Sequence, residues 1–290
     1  MEKIAESELI LNPDKSIYHL KLHPHQIAND IIVVGDPKRV KLISDKFDSI
    51  EYKIENREFI THTGFYNGKK MTVLGTGIGT DNIDIVLNEL DALVNIDLEK
   101  RVEKETKTSL NIVRIGTCGA LQENIEVNDY IVTEYVIGMD GLLNYYKYQP
   151  SEMEQQLLDE FYTQTNYSKT LAQPYFIKAS SKLHDLFKDD CHSGITATAS
   201  GFYGPQGRKL RINLKEPLIN EKLHDFKLDH LRINNFEMET SAIYGLSKIL
   251  GHNSCTVCVA IANRYTKKFS KDYHTPLNNL IDLVLTKLTE

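Results

Sequence analysis

No apolar run in this 290-residue chain approaches the ~18 residues that a membrane-spanning helix needs. The opening stretch, Met1 to Glu8, is acidic and lacks the apolar core of a secretory leader. The expectation is a cytoplasmic protein with no membrane partner. Excess positive charge is missing too: 34 Lys and Arg stand against 40 Asp and Glu, for a net charge of −6. That balance argues against a nucleic-acid partner, which usually demands a basic surface. Any anion site must therefore be a local cluster of arginines. Cysteine is scarce, with only Cys118, Cys191, Cys255 and Cys258. Cys255 and Cys258 match CxxC but lie in a run that reads as a buried strand, where residues three apart face opposite ways. They read as core residues in a reducing compartment. A Walker A sequence is absent, and Gly75-Thr76-Gly77-Ile78-Gly79 departs from GxGxxG because its third glycine comes one position early. No nucleotide cofactor and no metal is expected.

What is present is ordinary for a globular fold: 41% hydrophobic and 26% charged residues. Short apolar runs alternate with helical periodicity along the chain. Ile31–Val34 reads as a buried strand running into Gly35-Asp36-Pro37, a helix-start signal followed by Val40, Ile43 and Phe47 at helical spacing. Residues 55–63 read as a strand, and Asn67-Gly68 as a hairpin turn. A helix is expected at about 81–95. The charged run 97–109 reads as a solvated helix extension or loop. Strands follow at 112–115, 127–133, 194–199 and 257–262, with helices at 150–164, 180–189, 240–250 and 277–288.

Polar groups recur at strand ends. Arg114 enters the run Ile112-Val113-Arg114-Ile115, and Gly116-Thr117-Cys118-Gly119 reads as a turn with little bulk over its backbone. Taken alone, Arg114 reads as the structural partner of a carboxylate. Gly35 and Arg39 stand where a strand-to-helix turn offers free N–H groups to an anion. Phe202, Gln206 and Arg208 supply a stacking face, an amide and a guanidinium suited to a flat heterocycle. Glu237 and Glu239 flank Met238 at a helix start, where a carboxylate can accept both hydroxyls of a vicinal diol. In an alternating sheet such groups gather in one cleft. Phosphate, ribose and base would fill it.

The motifs Gly-Asp-Pro-x-Arg-Val (35–40), Arg-Glu-Phe (57–59), Thr-Gly-Ile-Gly (76–79), Arg-Ile-Gly-Thr-x-Gly-Ala (114–120), Phe-Tyr-x-x-Gln-x-Arg (202–208), Glu-Met-Glu (237–239) and Asn-Arg (263–264) occur in this order. With them the chain resembles the nucleoside phosphorylase family, nearest to its uridine-cleaving members. The resemblance implies a single α/β domain over residues 1–290, with a twisted mixed sheet, partly barrel-like, flanked by helices. It implies phosphorolysis of uridine to uracil and ribose 1-phosphate, with inorganic phosphate as co-substrate. Gly35, Arg39, Arg114 and Thr117 would hold phosphate, with Arg57 reaching a neighbouring subunit's phosphate. His19, Thr117, Met238 and Glu239 would bind ribose, His19 again across a subunit boundary. Phe202, Gln206, Arg208, Glu237 and Arg264 would bind the base. Arg114, Gln206, Arg208 and Glu239 would carry catalysis. A homo-oligomer, dimer or trimer of dimers, would share its active sites. Glu58 and Ile78 would border a monovalent-cation site, with Asn82 where a small hydroxyl residue is usual. Purine relatives and nucleosidases carry an aspartate after the last core strand, where this chain reads Ala262-Asn263-Arg264. The alternatives are a purine phosphorylase or nucleosidase of the same fold, and a nucleoside-binding protein.

Overall fold

The computed structural model describes residues 3–290, so Met1 and Glu2 of the acidic opening stretch lie outside the described residues. The apolar run after Asn29 forms β1 (Asp30–Val34), buried from Ile31 onward. Asp36 Oδ1 accepts the Lys38 N–H at 3.0 Å, and Pro37 sits at the cap of α1 (Lys38–Ser44). An antiparallel meander follows: β2 (Ser49–Asn56), β3 (Phe59–Tyr66) and β4 (Lys69–Gly75). The single strand expected over 55–63 is thus broken at Arg57 and Glu58, where Arg57 has φ +54°. The strand before that turn escaped notice because its residues are all exposed or half-buried, and an edge strand carries little apolar signal. Asn67 and Gly68, with φ 49° and 73°, make the expected hairpin turn.

Helix α2 (Thr80–Asn95) leads into β5 (Ile96–Asp97) and β6 (Val102–Glu103), so the charged run 97–109 opens as a small hairpin and continues as a loop, with no helix extension. The hairpin's turn forms because Asp97 Oδ1 accepts the N–H groups of Glu99 and Lys100, a local alternative to helix. Arg101 then latches the hairpin to the carbonyls of Ile4 and Ala5 at 3.0 and 2.9 Å.

The remaining elements are β7 (Asn111–Ala120), β8 (Tyr130–Gly138), α3 (Glu152–Thr165), β9 (Tyr175–Lys178), α4 (Ser181–His184), β10 (His192–Thr198), α5 (Ile219–Asp225), β11 (Lys227–Leu228), β12 (Leu231–Glu237), α6 (Thr240–Leu250), β13 (Asn253–Asn263), β14 (Lys268–Phe269) and α7 (His274–Thr289). The expected turn at Gly116–Gly119 is strand instead, because β13 pairs with β7 over its whole length from Asn111 to Ala120.

Among the described residues one mixed sheet runs β11-β12-β10-β8-β13-β7-β1-β4-β3-β2. A further antiparallel pairing sets Asn235 opposite Ala120 and Phe236 opposite Gly119. It joins β12 to β7 and closes β7, β13, β8, β10 and β12 into a five-stranded barrel. Ile31 and Val33 face α2 and α6 on one side of the sheet, while Ile32 and Val34 face α1 and α7 on the other. A third core, around Phe161, Phe176 and Phe226, sits under α3 and α5. Among the described residues no helix is long and apolar enough to cross a membrane.

Candidate active site

The carboxyl ends of β1, β7, β12 and β13 open into a cleft of about 730 Å³. Arg114 lies at its floor, 5% exposed. A buried cation needs compensation, and two carboxylates supply it. Arg114 Nη2 donates to Glu239 Oε2, and Nη1 lies 3.3 Å from Glu237 Oε2. Nη1 also donates to Cys258 Sγ at 3.3 Å. Burial alone would depress the Arg114 pKa; Glu239 and Glu237 outweigh it and raise it above the ordinary arginine value. Gly116 makes room for this cluster, since a Cβ there would collide with the guanidinium and with Cys258. Cys118 shares a buried cluster with Cys258: Cys118, helped by Arg114, lowers the Cys258 thiol, and burial raises Cys118.

Glu239 is fixed from a second side. The Gly79 N–H donates to its Oε1 at 2.8 Å. Gly79 takes φ +101° at the start of α2, which a side chain would resist. Burial pushes the Glu239 carboxyl upward, Arg114 opposes, and the net shift is up. Glu237 has its oxygens committed. Oε1 accepts the Thr198 hydroxyl, and Oε2 accepts the N–H groups of Glu239 and Thr240 at 2.8 and 2.9 Å. It therefore caps the first turn of α6 while anchoring Arg114.

Arg39, from the first turn of α1, points its Nη2 at Thr117 Oγ1, 3.4 Å away. Burial lowers its pKa, and the like charge of Arg114 adds to the effect. Two guanidiniums, the Thr117 hydroxyl and the backbone at Gly35 border the same hollow. An anion there relieves the repulsion between the cations and can take a bidentate bond from the Arg39 fork.

The opposite wall carries Phe202, Gln206 and Arg208. Gln206 is buried, and its Oε1 accepts Arg208 Nη1 at 2.5 Å; Nη1 also reaches the Phe202 carbonyl at 2.6 Å. The guanidinium stacks 3.7 Å from the Phe202 ring centre. Burial lowers Arg208 to about 10, with the charge of Arg264 contributing. Arg264 stands behind Gly119, and its Nη1 is buried without a hydrogen-bond partner. Asn263 is fully occupied: its amide nitrogen donates to the Gln122 and Ile125 carbonyls, and its oxygen accepts the N–H groups of Tyr265 and Thr266.

Met238, Glu58 and Ile78 also line the cleft, with Asn82 wedged beside Gly77. His19 and Arg57 do not line it. They sit together around Tyr18: Arg57 lies over the Tyr18 ring at 5.1 Å, and His19 Nδ1 bonds Glu89 Oε1 at 2.6 Å. Gly79, Cys258, Thr198, Ile261, Ala262 and Phe269 border the site or bond its residues without having been expected there from sequence; Cys258, expected only in the core, bonds Arg114. Of these only Gly79 stands in a run with a signal of its own, the glycine-rich Gly75–Gly79. Among the described residues no group of three or more His, Cys, Asp or Glu could hold a metal.

A family model for the phosphorylase superfamily matches residues 30–283. Over 271 residues the chain is 31% identical to a uridine phosphorylase of Thermococcus kodakarensis, covering 93% of this chain and 86% of that one. It is 27% identical over 273 residues to a DeoD-type purine nucleoside phosphorylase of Bacillus cereus, covering 92% and 96%. The solved structure of a Trypanosoma brucei nucleoside phosphorylase, described as showing uridine phosphorylase activity, superposes with a TM-score of 0.89 at 32% identity, covering 97% of this chain and 99% of that one.

Proposed function

Since the chain belongs to the phosphorylase superfamily and is thus an enzyme of the pentosyltransferase type, we propose that it cleaves uridine with inorganic phosphate to uracil and ribose 1-phosphate. The observation that carries this reading is the Gln206–Arg208 pair across the cleft from Arg114 and Arg39. With its Oε1 taken by Arg208, Gln206 has its NH₂ left to donate, as Arg208 has its remaining N–H groups. Uracil presents carbonyl acceptors and leaves as a tolerable anion.

Arg39, Arg114, Thr117 and the Gly35 backbone hold phosphate beneath the sugar, while Glu239 and Met238 hold the ribose. As the glycosidic C–N bond breaks, positive charge grows on the ring and negative charge on the base. Phosphate stabilises the first and then bonds to the anomeric carbon. Gln206 and Arg208, supported by Arg264, stabilise the second with bonds that strengthen as charge develops. The departing uracil anion takes its proton from solvent. Glu237 is assigned here to positioning Arg114, because its oxygens are already occupied.

The purine reading has support in the 27% identity to a DeoD-type enzyme. Against it stands Asn263, whose amide bonds only backbone where purine relatives carry a proton donor. We take residues 1–290 as one catalytic domain acting in the cytoplasm, in keeping with its continuous sheet and four free thiols. A homo-oligomer would bring His19 and Arg57 of one subunit to the cleft of another, and Glu58 with Ile78 would border a monovalent cation. A panel of uridine, thymidine, inosine and adenosine at saturating phosphate tests specificity. Release of uracil, with inosine and adenosine at least 100-fold slower in kcat/KM, is expected; faster cleavage of inosine would favour the purine reading.

A further inference from the structure

The loop that carries Phe202, Gln206 and Arg208 has a second hollow behind it. This cavity of about 650 Å³ lies between the 200–216 stretch and residues 167–172. Its size suits a small molecule. Met139, Tyr167, Leu171, Leu214 and Ile219 make an apolar wall. Leu210 and Ile212, on the same loop, are 72% and 80% exposed.

The polar groups of the cavity favour an acid. Tyr167 lines the hollow and is 7% exposed. Burial pushes its phenol up to about 12, so it offers a hydroxyl donor to the hollow. The carboxylates near it are taken: Glu216 pairs with Lys222 at 2.9 Å, and Asp140 accepts the hydroxyls of Tyr175 and Ser241. The cations are not so balanced. Arg208 bonds only a carbonyl and an amide oxygen, Lys215 bonds the Thr170 hydroxyl, and Arg211 is exposed with no carboxylate partner among the described residues.

We propose that this hollow is a second binding site, distinct from the substrate cleft, for an amphipathic organic anion: an apolar body against Leu171, Leu214 and Ile219, with an acidic group toward Arg211. Arg208 borders both spaces. An occupant therefore braces the loop and couples to base binding, a consequence that rests on the nucleoside reading of the cleft.

The probe is 8-anilinonaphthalene-1-sulfonate, titrated by fluorescence into the full-length protein and into Arg211→Glu and Leu171→Trp, with folding followed by circular dichroism. One saturable site is expected, weakened about tenfold or more by Arg211→Glu, which alters only an exposed side chain, and blocked by Leu171→Trp. Binding should persist at saturating uridine and phosphate, and the probe should shift the uridine KM at least twofold. Unsaturable binding, equal affinity in wild type and Arg211→Glu, or displacement by uridine with phosphate would overturn the site. If uridine is not turned over at all, the function reading fails while the binding results still decide this one.

Discussion

Arg114 answers two demands with one side chain. Buried at the cleft floor, it must be neutralised, and Glu237 and Glu239 do this. On the proposed reading Glu239 also holds the ribose, so the arginine would be shared between a structural pair and an incoming anion. Arg114→Ala should therefore raise the phosphate KM or lower kcat/KM for phosphate by roughly 100-fold or more, the scale of losing a charge-stabilising donor. Steady-state kinetics at varied phosphate measures this, and an unchanged phosphate dependence would make Arg114 purely structural. At this scale the sequence was legible where a charged side chain interrupts an apolar run, as at Arg114, or clusters with aromatics, as at Arg208. It was opaque where the donor is backbone. The Gly79 N–H that holds Glu239 carries no side-chain signature, and the Thr198 hydroxyl that occupies Glu237 lies 39 positions away.

Among the elements, α3 is pinned by one carboxylate. Glu154, fully buried, accepts the Ser151 N–H and the Tyr148 hydroxyl, bonds the Lys178 N–H of β9 at 2.8 Å, and pairs with Lys248 of α6 at 2.7 Å. Burial would raise its pKa, but Lys248, Tyr148 and the N–H groups prevail and hold it below the ordinary carboxylate value. A depressed carboxylate contributes stability that is present above its unfolded pKa and lost as pH falls through the folded one. Glu154→Gln should cost on the order of 3 kcal/mol at neutral pH, and its stability should fall less steeply than wild type below about pH 4.5. Urea denaturation across that window decides it; parallel acid limbs would contradict the assignment. Elements with strong apolar periodicity, such as α2, α6 and α7, were readable in the sequence. The edge strand β2 was not, because no face of it is buried, and β7 read as ending early because small residues at Gly116–Gly119 mimic a turn while serving a barrel strand.

At the scale of the whole molecule, the alternation of strands and helices pointed to an α/β sheet, but nothing local announces the pairing of β12 with β7. That closure joins residues more than 100 positions apart, and it brings the ends of β7, β12 and β13 to one cleft. The His19–Arg57 cluster, fixed outside that cleft by Glu89 and Tyr18, has a consequence for assembly. If it completes a partner's site, Arg57→Ala and Arg114→Ala chains should each be impaired alone. Mixing them with subunit exchange should recover up to about a quarter of wild-type activity per site; no recovery would confine Arg57 to its own subunit. The central claim, that phosphate and not water takes the sugar, is tested most directly by ³¹P NMR of the protein with uridine and inorganic phosphate. A new phosphate-ester signal should grow in step with uracil, and no uracil should form when phosphate is withheld. Uracil released without phosphate, or free ribose as the only sugar product, would contradict it.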